Sequence, residues 1–176
     1  MATDRTAVIG FPVDHSLSPI IHNHWIKELG LDTKPYEKIN VDPNKFEEQI
    51  NNLKAEGYGG LNVTVPLKEL AFSISDETSG VSKKLKSVNT LSLNSEKING
   101  DNTDAVGFIN SLDEKTIENN IANKKTLVLG AGGSARSVVH ALNEMGGHVR
   151  LFNRTPEKAA ILLNDLSINS SPVSTE

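Results

Sequence analysis

Cysteine is absent from this 176-residue chain, tryptophan occurs once, and aromatic residues make up only 5%. Without thiols there is no disulfide framework and no thiolate site. No apolar run approaches the ~20 residues that a helical membrane span requires. Neither sign of charge dominates: 18 Lys and Arg against 22 Asp and Glu leave a net charge of −4. That balance, with a pI near 5.7, argues against a general nucleic-acid binder. His15, His22, His24, His140 and His148 have no acidic partners at metal-ligand spacing, so no metal is expected. Met1 to Arg5 leads straight into a short strand with no signal-peptide hydrophobic region. A cytoplasmic location is therefore the expectation. What is present, 37% hydrophobic and 23% charged residues, suits a globular protein with one good-sized core or two small ones.

The chain shows no internal repeat and no low-complexity stretch, although Ser167 to Glu176 is polar and turn-rich. Thr6 to Gly10 reads as a strand. A helix should start at Pro19, with Ser18 as its cap, and end at Gly30. Tyr36 to Val41 reads as a second strand. Asp42-Pro43 then makes an N-cap and first-turn pair for a helix whose Phe46, Ile50 and Leu53 share one face. Gly57 stops it. Gly60 to Val65 reads as a third strand, and Pro66 as the opening of a short helix. Val88 to Leu93 and Lys97 to Gly100 suggest a hairpin around Asn94-Ser95. Asp104 to Leu112 reads as helical and leads into a polar connector, Asp113 to Asn123. Strands alternating with helices imply an α/β fold with a mostly parallel sheet.

From Lys125 the pattern changes. Lys125 to Leu129 reads as a buried parallel strand. Gly130, Ala131, Gly132, Gly133, Ser134 and Ala135 then fit G-x-G-x-x-A, with glycines for a tight turn and close backbone approach. Val138, Val139 and Leu142 recur at helical spacing until Gly146-Gly147, and His148 to Phe152 reads as a strand. Strand, glycine turn, helix and strand in this order form a dinucleotide site, where helix-start N–H groups hold a pyrophosphate. A plain βα turn is the structural alternative. NAD sites place an acidic residue about 20 residues after the first glycine. Here Asn153 stands after the second strand, followed by Arg154, Thr155 and, one helical turn on, Lys158. A guanidinium fork suits a 2′-phosphate, so NADP is favoured over NAD.

Four polar clusters fall where strands end and helices begin. They are His15 to Pro19, Asn62 to Lys68, Ser87 to Thr90 and Gly100 to Asp104. Singly, each has a bland explanation, such as a cap, a strand residue or a first-turn charge. Together, hydroxyls, amides, an ammonium and a carboxylate describe a pocket for a small polyhydroxylated acid. The ordered motifs HSLSP, NVTVPLK, VNT, GDNTD, GAGGSAR and NRT make the chain resemble the shikimate dehydrogenases, from Val8 to about Lys158.

This resemblance implies NADPH-dependent, reversible reduction of 3-dehydroshikimate to shikimate, a step towards chorismate and the aromatic amino acids. It assigns Ser16 and Ser18 to the substrate carboxylate, and Thr64, Asn89 and Asp104, with Asn62 close by, to the ring hydroxyls. Lys68 matches the family's catalytic lysine and Asp104 its partner. The loop Gly130 to Arg136, with Gly130, Ala131, Gly132, Gly133, Ser134 and Ala135, and the stretch Asn153 to Lys158, with Asn153, Arg154, Thr155 and Lys158, would bind NADP. The implied fold is an N-terminal α/β substrate-binding domain over residues 1–103, a linking helix and connector over 104–123, and part of a Rossmann domain over 124–176. That last part has about 50 residues, whereas a complete dinucleotide fold of two βαβαβ halves needs well over ~100. No nucleic-acid or membrane partner is expected, and a monomer or homodimer is.

There are departures from the family pattern. Leu67 stands where His is common, Leu85-Lys86-Ser87 where Ile-Gly-Ala is usual, and Ala105 where Gly often follows NTD. Alternatives are a quinate/shikimate dehydrogenase, which often uses NAD, and a shortened homologue that binds shikimate without hydride transfer. Methylene-tetrahydrofolate enzymes share the two-domain plan but lack the HSLSP and NTD set.

Overall fold

A computed structural model describes residues 5–170, 172 and 173. The signal-region expectation for Met1 to Arg5 therefore lies, Arg5 apart, outside the described residues, as does the end of the polar tail. Contacts divide the chain into two compact units, one running to Asn102 and the other from Thr103.

The first unit follows the order β1 (Arg5–Gly10), α1 (Ser18–Glu28), β2 (Glu37–Asn40), α2 (Phe46–Ala55), β3 (Tyr58–Val63), α3 (Lys68–Ile74), β4 (Glu77–Thr78), α4 (Gly80–Leu85), β5 (Thr90–Ser92) and β6 (Asn99–Asp101). One sheet holds all six strands in the order β2-β1-β3-β5-β6-β4. β1 runs parallel to β2 and β3, and β4 to β6, while β5 is antiparallel to β3 and β6. The sheet is thus mostly parallel, as alternating strands and helices imply.

Its two faces are built differently. Ala7, Ile9, Leu61, Val63 and Leu91 point to one side and pack with Phe46, Ile50 and Leu53 of α2, with Leu67 just ahead of α3 and with Ala71 of α3. Residues one position out of phase point the other way, as the strand period dictates. There Val8 joins Val13, Tyr36 and Ile26 of α1 in a smaller cluster. The stripe Phe46, Ile50 and Leu53 is buried as its spacing requires. Asp42 caps a 3-10 turn (Pro43–Lys45) ahead of α2, its carboxylate accepting from the Asn44 N–H at 2.9 Å. Gly57 ends α2 with a φ of +88°, a backbone shape that favours glycine.

Two helix starts differ from the sequence expectation. α1 begins at Ser18 with Leu17, not Ser18, in the cap position and no side-chain cap. Pro19 has no N–H to satisfy, and the Ser18 N–H donates to Ser16 Oγ at 3.3 Å. Nor does Pro66 open a helix: the Leu67 N–H first closes a turn onto the Thr64 carbonyl at 2.9 Å, and α3 starts at Lys68.

The second unit comprises α5 (Asp104–Asn110), α6 (Glu114–Thr116), a π-helical turn (Ile117–Ile121), β7 (Lys125–Leu129), α7 (Gly133–Glu144), β8 (His148–Phe152) and α8 (Pro156–Asp165). The expected polar connector is therefore largely helical, because Ile117 and Ile121 reach the apolar cluster of Val139, Leu142, Val149, Leu151 and Leu162. β7 and β8 pair in parallel from Lys125 opposite His148 to Leu129 opposite Phe152. The expectation that β7 is buried does not hold. Leu127 and Leu129 are 56% and 73% exposed, since β8 is the one strand paired with β7 among the described residues.

On the α1 face of the first unit, the His22 ring stacks on Tyr36 with centroids 4.1 Å apart, and burial pushes its pKa below the ordinary histidine value. The folded unit thus resists a proton that the unfolded chain accepts at about pH 6.5. Stability from this site is fully present above that pH and is lost as pH falls below it. Denaturant unfolding between about pH 7.5 and 5 should show this slope, and His22→Phe, which keeps a stacking ring, should flatten it. A variant with an unchanged slope would exclude His22 as its source.

Candidate active site

The first unit brings six of the predicted residues to one edge of its sheet. β1, β3 and β6 point the same way, so Gly10, Val63 and Asp101 all end there, and the antiparallel β5 begins there at Thr90. Ligand crevices of open α/β sheets lie beyond such carboxyl ends.

Each loop is fixed by backbone hydrogen bonds to a neighbour. The segment after β1 is held by the Phe11 N–H to the Val65 carbonyl at 3.1 Å and by the Val13 N–H to Asn40 Oδ1 at 2.9 Å. Val13 is buried, and the Ser16 N–H donates back to its carbonyl at 3.0 Å. Ser16 and Ser18 are left half-buried at the start of α1. After β3, the Thr64 N–H continues the parallel ladder onto the Ile9 carbonyl at 2.9 Å. The Asn89 backbone spans the gap between strands, donating to the Asp101 carbonyl at 2.9 Å and accepting from the Val63 N–H at 2.7 Å. Its side-chain Oδ1 takes the Thr90 hydroxyl at 2.9 Å.

Lys68 is the first residue of α3 and is 7% exposed. Its carbonyl accepts from the Val88 N–H at 2.9 Å, which ties the start of α3 to the VNT segment. The preceding Leu67, one of the departures, is fully buried in the main core. An apolar side chain there anchors the turn that presents Lys68. Ser87, another departure, is also fully buried, and its hydroxyl has no hydrogen-bond partner, while its carbonyl accepts from Asn102 Nδ2 at 3.0 Å.

Gly10 closes the edge. A Cβ there would stand 2.7 Å from the Thr64 methyl and 3.2 Å from the Val65 carbonyl oxygen. Only glycine lets the two loops approach this closely.

Asp104 belongs to the second unit, where it opens α5, half-buried in the first turn. In the same unit the two predicted cofactor loops are neighbours, since they follow paired parallel strands. Gly130 has a φ of +105°, and its N–H donates to the Phe152 carbonyl at 2.8 Å. A Cβ at Gly130 or Gly132 would meet nothing within 4 Å. Gly132 occupies the cap position of α7 and no side chain caps that helix start. Open space and helix-start N–H groups are what a pyrophosphate needs. Asn153 is half-buried with Nδ2 on the Thr155 carbonyl at 2.8 Å, while Arg154, Thr155 and Lys158 are exposed. Among the described residues, no group of His, Cys, Asp and Glu is placed to hold a metal ion.

The family model described as shikimate dehydrogenase substrate binding domain matches residues 8–91. Curated relatives named shikimate dehydrogenase (NADP(+)) include that of Methylocella silvestris, 43% identical over 158 residues, which cover 90% of this chain. The one from Brucella abortus is 44% identical over 161 residues, again 90% of this chain. A crystal structure of shikimate dehydrogenase from Aquifex aeolicus superposes with a TM-score of 0.86 at 38% identity, over 98% of this chain and 63% of that one. Residues 8–91 thus match the shikimate dehydrogenase substrate binding domain, and the similarity to shikimate dehydrogenases extends along nearly the whole chain. A Thermus thermophilus shikimate 5-dehydrogenase, solved in complex with NADP(H) and shikimate, gives a TM-score of 0.81 at 35% identity, over 97% of this chain and 62% of that one. The chain spans 56% and 55% of the length of the two curated relatives.

Two features of the chain are not legible in its motifs. Tyr36 was read only as a strand residue, yet its hydroxyl donates to Asn62 Oδ1 at 2.7 Å. Arg136, the last letter of GAGGSAR, points away from the glycine loop's open space and into the unit. It is 7% exposed and pairs with Asp165 at 2.9 Å, tying α7 to the end of α8. Removing one member of a buried pair strands the other's charge. Arg136→Ala should therefore destabilise the second unit by about 3–5 kcal/mol, or unfold it. Hydrogen exchange would register this as lost protection in α7 and β8, with the first unit unaffected. Undiminished protection would show that the pair is not structural.

Proposed function

We propose that this chain contributes the substrate-binding unit and the first part of the cofactor unit of an NADP-dependent shikimate dehydrogenase. The reaction is the reversible reduction of 3-dehydroshikimate to shikimate. The observation that carries this reading is the burial of Lys68 at the sheet edge where Ser16, Ser18, Asn62, Thr64 and Asn89 gather.

NADPH, when bound, supplies the hydride to the ketone carbon. As the carbonyl electron pair moves onto oxygen, the Lys68 ammonium stabilises the growing negative charge and delivers the proton that makes the hydroxyl. In the reverse direction the neutral amine takes that proton back. Serine hydroxyls at 16 and 18 suit a carboxylate as donors, and the amides and hydroxyl of Asn62, Thr64 and Asn89 suit ring hydroxyls as donors and acceptors. The glycine loop and the exposed Arg154 and Lys158 fit the pyrophosphate and 2′-phosphate of NADP. The partner implied is a small acid, and the setting proposed is the cytoplasm.

Lys68→Ala should keep shikimate affinity within about tenfold while lowering turnover by a factor on the order of 10² or more. Isothermal titration and steady-state kinetics with NADPH separate the two effects, and a variant with normal turnover would remove Lys68 from the chemistry.

Arg154→Ala tests the cofactor. It should weaken NADPH by about one to two decades, the worth of a charge-assisted pair, and leave NADH nearly unchanged. Equal losses for both would refute a 2′-phosphate role and favour the NAD-using quinate/shikimate type.

A further inference from the structure

We infer that Tyr36 is a positioning residue for ligand recognition: its hydroxyl fixes the amide of Asn62 with the NH2 group turned towards the strand-end site. The inference rests on the proposed function only in naming shikimate as the ligand.

Asn62 lies on β3 next to Val63 and Thr64, opposite Val8 of β1 and Thr90 of β5. Leu61 and Val63 face the main core, so the Asn62 side chain stands on the other face of the sheet, with Val8, Val13 and Tyr36. An asparagine amide has an accepting end and a donating end, and without a neighbour of fixed character both orientations are open to it. Tyr36 is such a neighbour. It is 5% exposed, and burial pushes its pKa well above the ordinary tyrosine value, so the hydroxyl keeps its proton and donates. The bond to Oδ1 is 2.7 Å long.

The tyrosine itself is held from three sides. Its N–H donates to Asn23 Oδ1 at 2.7 Å, and Asn23 Nδ2 donates to its carbonyl at 3.0 Å, a two-point tie to α1. The His22 ring stacks on it at 4.1 Å, nearly coplanar at 9°. Helix α1 carries Ser18 at its start and these two residues a turn later, so the same helix places a proposed carboxylate donor and, through Tyr36, orients Asn62. A ring hydroxyl of the ligand would then meet an N–H donor at residue 62.

Tyr36→Phe removes only the hydroxyl and keeps the stacked ring. Shikimate titrated into the 176-residue chain should bind about 3- to 10-fold more weakly to this variant. Asn62→Asp keeps the acceptor for Tyr36 but has no N–H to offer, and should lose affinity to a similar or greater degree with unfolding midpoints unchanged. The double variant Tyr36→Phe/Asn62→Ala should bind no worse than Asn62→Ala alone. Wild-type affinity in Tyr36→Phe or Asn62→Asp, or additive losses in the double variant, would overturn the inference. If the wild-type chain bound no shikimate, the functional reading would fall instead. The side-chain amide signals of Asn62 in the free protein then decide the inference alone. They should shift and broaden in Tyr36→Phe, and unchanged signals would overturn it.

Discussion

Strands β1 and β3 lie parallel with Ala7 opposite Leu61 and Ile9 opposite Val63, and these four side chains are all buried on one face. Side chains alternate along a strand, so a slip of one residue would turn this apolar set to the opposite face. The register is therefore strongly specified by burial, and the loops inherit it. The Thr64 N–H extends the same ladder to Ile9, and the Phe11 N–H reaches the Val65 carbonyl, so the two segments leave the sheet bonded to each other. Ser16 and Lys68 are positioned by core packing several residues away. Gly10 shows how tight the junction is, because any larger side chain would displace Thr64.

Two buried cations illustrate different uses of charge. Arg136 is matched by Asp165, and its planar fork joins two helices in the second unit. Its position within a glycine motif is an accident of helical geometry: the first turns of α7 must both leave the loop open and pack inward, and residue 136 falls on the inward side. Lys68, the first residue of α3, is buried as well, and under the proposed function it delivers a proton. A flexible ammonium that can give up its proton fits that role better than a guanidinium, which holds its proton throughout.

Much of this was legible in the sequence, for identifiable reasons. The alternation of strands and helices, the Phe46, Ile50 and Leu53 stripe and the Gly57 stop depend on local periodicity and backbone freedom, which a sequence records directly. The motif residues of the first unit stand at strand ends because such positions are marked by a change from apolar to polar composition. Helix starts were less legible. Ser18 had the right chemistry for a cap, but Pro19 removed one of the donors that a cap serves, and Ser16 took the Ser18 N–H instead. The burial expected for β7 rested on apolar composition, yet Leu127 and Leu129 are exposed. Composition reports what a strand can bury, while its partners decide what it does bury.

Tyr36 was illegible for a deeper reason. Its link to Asn62 joins residues 26 positions apart, across α2, with no shared period and no motif of its own. Residues that touch a ligand gather in short motifs because a loop at a strand end offers several adjacent side chains to one small space. Residues that orient them stand behind, on other elements, and are spread along the chain by the topology that brings those elements together. The order β2-β1-β3 places Tyr36, just ahead of β2, on the same face as Asn62 with β1 between them. A long tyrosine can span that interval, and a shorter side chain would leave the amide of Asn62 without a fixed donor. The hydrogen bond to the amide of Asn62 thus depends on the size and the proton of a residue outside every motif.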